Sequence, residues 1–330
     1  MPDLDDLLPR LHVVALPMTT RFRGVTSREA MLIEGDRRWT EWSPFPEYDD
    51  AEAASWLRAA LEFGFERRLD LVEGREVAVN ATVPAVPADA VTAVLERFGP
   101  CRAVKVKVAE RGQRLEDDLE RVAAVRRAVG DEVALRVDAN GGWDVDEAVR
   151  ALRALAPYRL DYAEQPVAEV ADLAEVRRRL EGRVPIAADE SIRRAQDPLQ
   201  VARLGAADRI IVKAQPLGGI ARAAAVVRAC GLPATVSSAL ETSVGLAMGA
   251  QLALRLGEEH GGISPAGLGT ASLFAADVVA PPRRPEGGRI AAGPVVPDRA
   301  ALERLAAPPE RRAWWIARLG RCLPLAAQTA

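Results

Sequence analysis

Histidine and cysteine, the side chains that most often bind transition metals, are scarce in this sequence. The 330 residues include two histidines, His12 and His260, and three cysteines, Cys101, Cys230 and Cys322. The cysteines are odd in number and widely separated, so they predict neither a disulfide framework nor a CxxC metal pair, and they suit a reducing cytoplasm. Any metal ion in this protein must therefore be bound mainly by oxygen atoms.

Long apolar runs and an excess of one charge are also missing. No uninterrupted apolar stretch reaches the roughly 18 residues of a membrane-spanning helix, and residues 1–10 lack the cationic start of a secretory signal. Lys+Arg (44) and Asp+Glu (47) nearly cancel and are interspersed, which argues against a nucleic-acid-binding face. We expect a cytoplasmic protein with no membrane insertion and no nucleic-acid partner. The oligomeric state is left open, and a monomer is compatible with the sequence.

Short β-branched runs alternate with amphipathic helical segments through the middle of the chain. Such alternation predicts parallel strands joined by crossover helices. With eight units, it predicts the α/β class and a modified TIM-type (β/α) barrel, with an open doubly wound sheet as the alternative. The predicted strands are 77–83, 103–108, 133–137, 160–163, 185–188, 209–212, 234–237 and a weak eighth near Ile263, and the predicted helices include 114–129, 145–155 and 170–180.

The two ends of the chain do not follow this rhythm. Residues 1–75 predict an α+β capping domain, and residues 76–272 predict the barrel. Residues 273–330 begin with a Pro/Gly-rich stretch and continue with two short helices starting near Asp298 and Glu310. A segment of this size buries little area alone, so we expect it to pack back on the capping domain. The capping elements are expected to be strands at 12–16 and 30–35 and a helix at 50–69, with Trp314 and Trp315 as packing residues.

Five consecutive predicted strands each end in a charged side chain. These are Lys107, Asp138, Glu164, Asp189 and Lys213, at intervals of 31, 26, 25 and 24 residues. In a (β/α) barrel, the C-terminal ends of the strands converge on one rim, so the five side chains should surround one cavity. Alternation along the first of these strands places Lys105 on the same face as Lys107.

Three carboxylates buried together are costly unless a cation neutralises them. Because the candidate ligands are all oxygens, the expected cofactor is Mg²⁺, with Mn²⁺ as a substitute. A partly desolvated lysine beside such an ion loses its proton more easily and can act as a general base. The pattern therefore predicts proton abstraction next to the carboxylate of a small-molecule substrate.

Several short motifs give the sequence a family resemblance. Lys-x-Lys, Asp-x-Asn, Glu-Gln-Pro, Asp-Glu-Ser and Val-Lys, in this order, resemble the muconate-lactonising branch of the enolase superfamily, which pairs a lysine or histidine base with magnesium. Residues 41–46 (EWSPFP), 237–245 (SSALETSVG) and 267–270 (GLGT) resemble the o-succinylbenzoate synthase family more specifically. That family dehydrates 2-succinyl-6-hydroxy-2,4-cyclohexadiene-1-carboxylate to 2-succinylbenzoate in menaquinone biosynthesis.

The resemblance implies a role for each of the charged residues. Asp138, Glu164 and Asp189 would be the metal ligands. Lys107 would remove the α-proton and then protonate the departing hydroxyl group. Lys213 would lie on the opposite face of the substrate and stabilise the enediolate as a cation.

Substrate contacts are predicted around these groups. Two serines at the end of the seventh strand can donate to the succinyl carboxylate, and a capping-domain loop carrying Arg21 and Arg23 can close over the barrel mouth. Lys105 would act as an electrostatic neighbour of Lys107. The predicted substrate-binding residues are Lys105, Asn140, Ser237, Ser238 and Arg21.

Two other functions fit the same residues. Lysines on opposite faces would equally allow racemisation, so an N-succinylamino acid racemase or a cycloisomerase of the same superfamily is the first alternative. The second alternative is a non-catalytic ligand-binding barrel. Retention of all five charged side chains argues against it, since a retired site has no reason to hold three carboxylates together.

Overall fold

A computed structural model describes residues 2–22, 24–67, 69–193 and 197–328. None of the helices in these ranges combines the length and the apolar character needed to cross a lipid bilayer.

The N-terminal part is an antiparallel sheet covered by a helix. The sheet contains strands β1 (Leu11–Phe22), β2 (Val25–Glu34) and β3 (Trp39–Trp42) in that order. After a short helix α1 (Leu4–Leu7), the main helix is α2 (Asp50–Phe65), which starts where the Asp49 carboxylate accepts a hydrogen bond from the Glu52 amide at 2.7 Å. The α+β capping architecture follows the sequence prediction, although β1 and β2 are longer than expected.

The centre of the chain is a parallel sheet with helices between its strands. Its seven strands are hydrogen-bonded in the order of the sequence from β5 to β11, and this arrangement confirms the α/β prediction. The strands from the start of this region are β4 (Glu76–Ala78), β5 (Ala81–Val83), β6 (Ala103–Lys107), β7 (Ala134–Asp138), β8 (Leu160–Glu164), β9 (Ile186–Ala188), β10 (Arg209–Val212) and β11 (Ala234–Val236). The helices are α3 (Val91–Glu96), α4 (Leu115–Val129), α5 (Val145–Leu155), α6 (Val170–Leu180), α7 (Glu190–Arg193), α8 (Gln200–Arg203), α9 (Ile220–Cys230) and α10 (Ser243–His260), with 3₁₀ turns at Leu8–Arg10, Ala88–Ala90, Ala156–Tyr158 and Gly269–Leu273.

The barrel closes through residues 266 and 267, whereas the eighth strand was expected near Ile263. Ala266 forms a parallel bridge with Val79, and Gly267 forms one with Ser237. The contact is short because this segment exchanges only a few backbone hydrogen bonds with its neighbours, among them the Asn80 amide to the Ala266 carbonyl at 2.9 Å. The weak β pattern at this position therefore corresponds to a pair of bridges and not to a full strand.

The C-terminal segment contacts both the start of the barrel region and the capping domain. It includes β12 (Arg289–Ala291), which pairs with β4, then α11 (Arg299–Arg304) and α12 (Pro309–Gln328). The second of the two predicted short helices was wrong in length, because α12 is 20 residues long and continues through Pro324. Its buried face supports it along this length, and Trp315 contacts Trp42 of β3 edge-on with ring centroids 5.3 Å apart.

Glu41 joins the capping domain to the barrel. Its buried carboxylate accepts hydrogen bonds from the Thr242 amide at 3.0 Å and the Gly245 amide at 3.1 Å. Both amides lie at the start of α10, where amides have no acceptor within the helix. A methyl group at Gly245 would lie 2.7 Å from Glu41 Oε2 and 2.8 Å from Glu241 Cβ. The two parts therefore meet at a contact with no spare volume.

Alanine at Gly245 and alanine at Gly257 of the same helix are expected to have opposite effects on stability. Gly257→Ala places its methyl group 3.8 Å from Ile263, so the better helix propensity should stabilise the protein by about 0.5–1 kcal/mol. Gly245→Ala collides with Glu41 and should destabilise it by about 1–3 kcal/mol. Urea denaturation of the two variants measures both values. Equal stability of the two variants would show that the junction is loosely packed.

Candidate active site

The five charged strand ends lie together at the C-terminal rim of the barrel. Register places Lys107 of β6 level with Asp138 of β7, and Asp138 level with Glu164 of β8. Asp189 and Lys213 directly follow β9 and β10. All five side chains and Lys105 are buried, between 1% and 7% exposed. The structure thus brings these six side chains together: five line one small cavity, and Glu164 lies 3.0 Å from Lys105. Their chemical roles stay a prediction.

The chain contains three lysines, and all of them are in this pocket. The remaining 41 of its 44 basic residues are arginines. Arginine does not release its proton in proteins, whereas a buried lysine can. This division of the basic residues is a compositional signal that points to Lys105, Lys107 and Lys213 without any structure.

Each carboxylate is paired with a lysine. Lys107 Nζ lies 2.5 Å from Asp138 Oδ2, and Lys213 Nζ lies 2.5 Å from Asp189 Oδ2. Lys105 Nζ lies between two acids, 3.1 Å from Asp138 Oδ2 and 3.0 Å from Glu164 Oε1. Each buried acid therefore has a lysine partner, which offsets part of the cost of burying it.

The carboxylates nevertheless repel one another. Burial and then the Asp138 carboxylate raise the pKa of Glu164 to about 7, against the opposing effect of Lys105. Burial also disfavours ionisation of Asp189, but Lys213 and Arg193 outweigh it and hold the pKa of Asp189 below its usual range. Asp189 adds to the rise in the pKa of Glu164, so each of the other two acids acts on it.

The residues present fit the chemistry of a magnesium ion. The Oδ1 atom of Asp189 is buried and accepts no hydrogen bond, although the Arg193 guanidinium lies 3.3 Å away. The three acids provide only the oxygen donors that Mg²⁺ prefers. In the described part of the chain, no three His, Cys, Asp or Glu side chains are grouped so that they could hold a metal ion as they stand. One reason is that the ammonium group of Lys105 lies between the Asp138 and Glu164 carboxylates and holds them apart.

The predicted substrate contacts fall into two groups. Asn140 is close to the base candidate, because its Oδ1 accepts a hydrogen bond from Lys107 Nζ at 2.5 Å. Ser237 and Ser238 line the same small cavity of about 30 Å³ as the lysines, and Ser238 Oγ is 2.9 Å from the Gly267 carbonyl. Arg21 is exposed and lines an adjoining cleft of about 380 Å³. Arg23 lies outside the described residues.

Three residues of the site were not recognised from the sequence. The Gln165 carboxamide accepts hydrogen bonds from the Asp189 and Ser191 amides at 2.9 and 3.2 Å, which joins the ends of β8 and β9. Arg193 Nε lies 3.3 Å from Asp189 Oδ1, and its NH1 donates to Tyr48 Oη at 2.9 Å. Phe22 of β1 faces Lys107, with the ring centroid 5.2 Å from Nζ. These contacts join separate segments of the chain, so local patterns do not predict them. Only Gln165 belongs to a motif noted in the sequence, Glu-Gln-Pro.

Comparison with known proteins matches the whole chain to one family. A family model described as enolase C-terminal domain-like matches residues 87–300, and one described as enolase N-terminal domain-like matches residues 13–64. The chain is 52% identical over 323 residues to the o-succinylbenzoate synthase of Mycolicibacterium smegmatis, covering 98% of both chains. It is 50% identical over 324 residues to that of Mycobacterium marinum, covering 98% of this chain and 96% of the relative.

Solved structures support the fold independently. A mandelate racemase/muconate lactonizing family protein from Azoarcus sp. EbN1 superposes with a TM-score of 0.71 at 22% identity, covering 91% of this chain and 97% of that chain. The shared fold agrees with the predicted barrel and capping domain. The identity, coverage and fold lead to one assignment. This chain belongs to the o-succinylbenzoate synthase family of the enolase superfamily.

Proposed function

We propose that this protein dehydrates 2-succinyl-6-hydroxy-2,4-cyclohexadiene-1-carboxylate to 2-succinylbenzoate, a step of menaquinone biosynthesis. Relatives at about half identity over nearly the full length carry the name of this activity. The observation that carries the proposal is the arrangement of Lys107 and Lys213 at opposite ends of a row of three buried acids. The reaction removes the proton next to a carboxylate and expels a hydroxyl group, and these groups provide a base and a compensating charge for it.

Lys107 is the proposed base and acid. A neighbouring cation favours the neutral amine of Lys107, and this amine takes the α-proton. The resulting ammonium group then delivers that proton to the departing hydroxyl oxygen, which leaves as water. Asp138 and Asn140 hold the Lys107 nitrogen at 2.5 Å each, so the proton stays at one position between the two steps. Because the product ring is aromatic, the elimination is downhill and one base–acid group suffices.

Lys213 is proposed to stabilise the enediolate from the other side. Burial lowers the pKa of Lys213, and Asp189 opposes this effect. A Mg²⁺ ion held by Asp138, Glu164 and Asp189 would neutralise the second negative charge that develops on the substrate carboxylate. The substrate is larger than the cavity of about 30 Å³. We therefore propose that it extends into the cleft beside Arg21.

Further features are proposed with this function. The barrel is proposed to span residues 76–272, with residues 1–75 as the capping domain and 273–330 packing back on it. The protein is proposed to be cytoplasmic, to act on a small-molecule carboxylate without a nucleic-acid partner, and to tolerate Mn²⁺ in place of Mg²⁺. A monomer is compatible with this function, because every residue of the proposed mechanism comes from one chain.

An assay of the wild-type protein and Lys213→Arg tests dehydration against racemisation. Arginine keeps a positive charge at this position but holds its proton. If the protein is a dehydratase, Lys213→Arg should retain measurable dehydration, because the position needs only a cation. A racemase needs proton exchange on both faces and should lose all activity in this variant.

The measurements are ring aromatisation of the cyclohexadiene substrate and loss of optical rotation of an N-succinylamino acid, each with Mg²⁺ and after chelation with EDTA. Dehydration by the wild type that stops with EDTA supports the proposal. Brisk racemisation without dehydration would replace it with the racemase alternative. Absence of both activities with retained product binding would favour the non-catalytic barrel.

A further inference from the structure

The loop after β11 forms one wall of the candidate site. This segment, residues 237–242, is here named the β11 loop. Ser237, Ser238, Ala239 and Leu240 line the same cavity as Lys213. The shape of this cavity therefore depends on the backbone conformation of the β11 loop.

Leu240 holds an unfavourable backbone conformation within that loop. Its φ angle is +63°, in the left-handed region that residues with a side chain rarely adopt. Its side chain is buried. A conformation of this kind persists only where surrounding contacts enforce it, and such positions concentrate at functional sites.

Arg28 of the capping domain supplies those contacts. It lies on β2, is only 1% exposed, and reaches across to the barrel. Its Nε donates to the Leu240 carbonyl at 3.3 Å, and its NH2 donates to the Ala239 carbonyl at 3.3 Å and to the Ser43 carbonyl. The guanidinium plane therefore fixes two successive carbonyls of the β11 loop relative to the capping domain.

Glu41 anchors the far end of the same loop. Besides the Thr242 amide, its carboxylate accepts the Thr242 hydroxyl at 2.6 Å. Ser43, whose carbonyl binds Arg28, donates its own hydroxyl to Glu41 at 2.6 Å. The capping domain is thus hydrogen-bonded to the β11 loop on both sides of Leu240, at Ala239 and at Thr242.

We propose that Arg28 is a positioning residue that holds the β11 loop in its substrate-binding conformation. The proposal rests on the proposed function, because the loop is taken to contact the part of the substrate that does not react. Arg28 is not among the side chains that line the cavity, so it acts on the loop and not directly on the substrate. Its loss should therefore weaken substrate binding more than it slows the proton transfer.

Replacement of Arg28 with methionine tests the proposal. Loss of binding to a non-reacting part of the substrate raises KM and leaves kcat largely unchanged. We expect Arg28→Met to raise KM about tenfold with kcat within about threefold of the wild type. Arg28→Lys is the milder variant if Arg28→Met folds poorly. Its single nitrogen cannot reach the carbonyls of Ala239, Leu240 and Ser43 together. It keeps part of the contact, so KM should rise by a smaller factor.

Arg318→Met is the matched control. Arg318 is also 1% exposed and donates to the Phe45 and Tyr48 carbonyls, but these belong to the capping domain. This variant should lose thermal stability as Arg28→Met does and keep the wild-type KM. Equal rises of KM in the two arginine-to-methionine variants would overturn the proposal, because they would reflect a general loss of stability.

Hydrogen–deuterium exchange without substrate separates this proposal from the proposed function. Amides of residues 237–242 should exchange faster in Arg28→Met than in the wild type and in Arg318→Met. This readout does not depend on turnover, so it decides the role of Arg28 even if the wild type fails to dehydrate the substrate. Unchanged exchange in the β11 loop would overturn the proposal.

Discussion

Replacing Lys107 with alanine is expected to lower kcat by about a thousandfold or more, because a general acid–base group contributes about 10²–10⁴-fold to rate. In the proposed mechanism Lys107 makes both proton transfers, so no second group can take over either step. The fold should survive the change. Asp138 would keep Lys105 as a partner at 3.1 Å, and its buried charge would therefore not be left alone. Steady-state kinetics at saturating Mg²⁺ measure the effect.

Lys107→Arg distinguishes the loss of a base from the loss of a charge. Arginine keeps a cation next to Asp138 but retains its proton, so this variant should be as inactive as Lys107→Ala. Because the chain has three lysines, NMR of lysine labelled with ¹³C at Cε offers a simple control. One signal should disappear in each variant, while those of Lys105 and Lys213 persist. A kcat above about a tenth of the wild-type value in Lys107→Ala would rule out the base assignment.

Asp189→Asn is expected to weaken Mg²⁺ binding by about a hundredfold or more, since loss of even an outer partner of a metal ligand costs about 10–100-fold. Asparagine has nearly the same shape as aspartate, so the pocket should keep its packing. The charge is lost, however, and Lys213 loses its 2.5 Å partner. The free energy of unfolding should therefore also fall, by about 3–5 kcal/mol at most. The loss is limited because Arg193, which also pairs with Asp189, keeps the Glu190 carboxylate as a partner at 2.5 Å. Isothermal titration calorimetry with Mg²⁺ alone measures the affinity.

Asp161→Asn is the matched control for the loss of a carboxylate from the barrel. Asp161 lies on β8, as Glu164 does, but pairs at 2.9 Å with the buried Arg136 and not with a lysine of the site. This variant should lose stability and keep the wild-type Mg²⁺ affinity. If Asp189→Asn binds Mg²⁺ as tightly as Asp161→Asn, then Asp189 is not a ligand.

The positions of the charged site residues could be predicted from the sequence because they depend on local rules. β-Branched runs define strands, and a strand of known phase places its last side chain on a known face. Parallel strands in sequential order then bring their ends to the same rim. Lys107, Asp138 and Glu164 lie level with one another for this reason, and no long-range information was needed to expect it.

The length of α12 and the point of barrel closure could not be predicted, because each depends on residues far away in the chain. The length of α12 depends on its packing against the capping domain through contacts such as Trp315 on Trp42, and the local sequence with Pro324 predicts an earlier end. The barrel closes at Ala266 because this residue meets Val79, almost two hundred positions earlier. Neither outcome follows from a periodicity.

The sequence by itself determined the family, the α/β class and the set of charged residues at the strand ends, since these follow from local periodicity and from the order of short motifs. Only the tertiary structure decided how these charges are paired and which distant residues support them. It also decided the hydrogen bonds of Arg28 and Glu41 to the β11 loop. Those contacts join segments up to 212 residues apart. Side-chain hydrogen bonds act over about 3 Å, so they exist only once the capping domain has packed on the barrel.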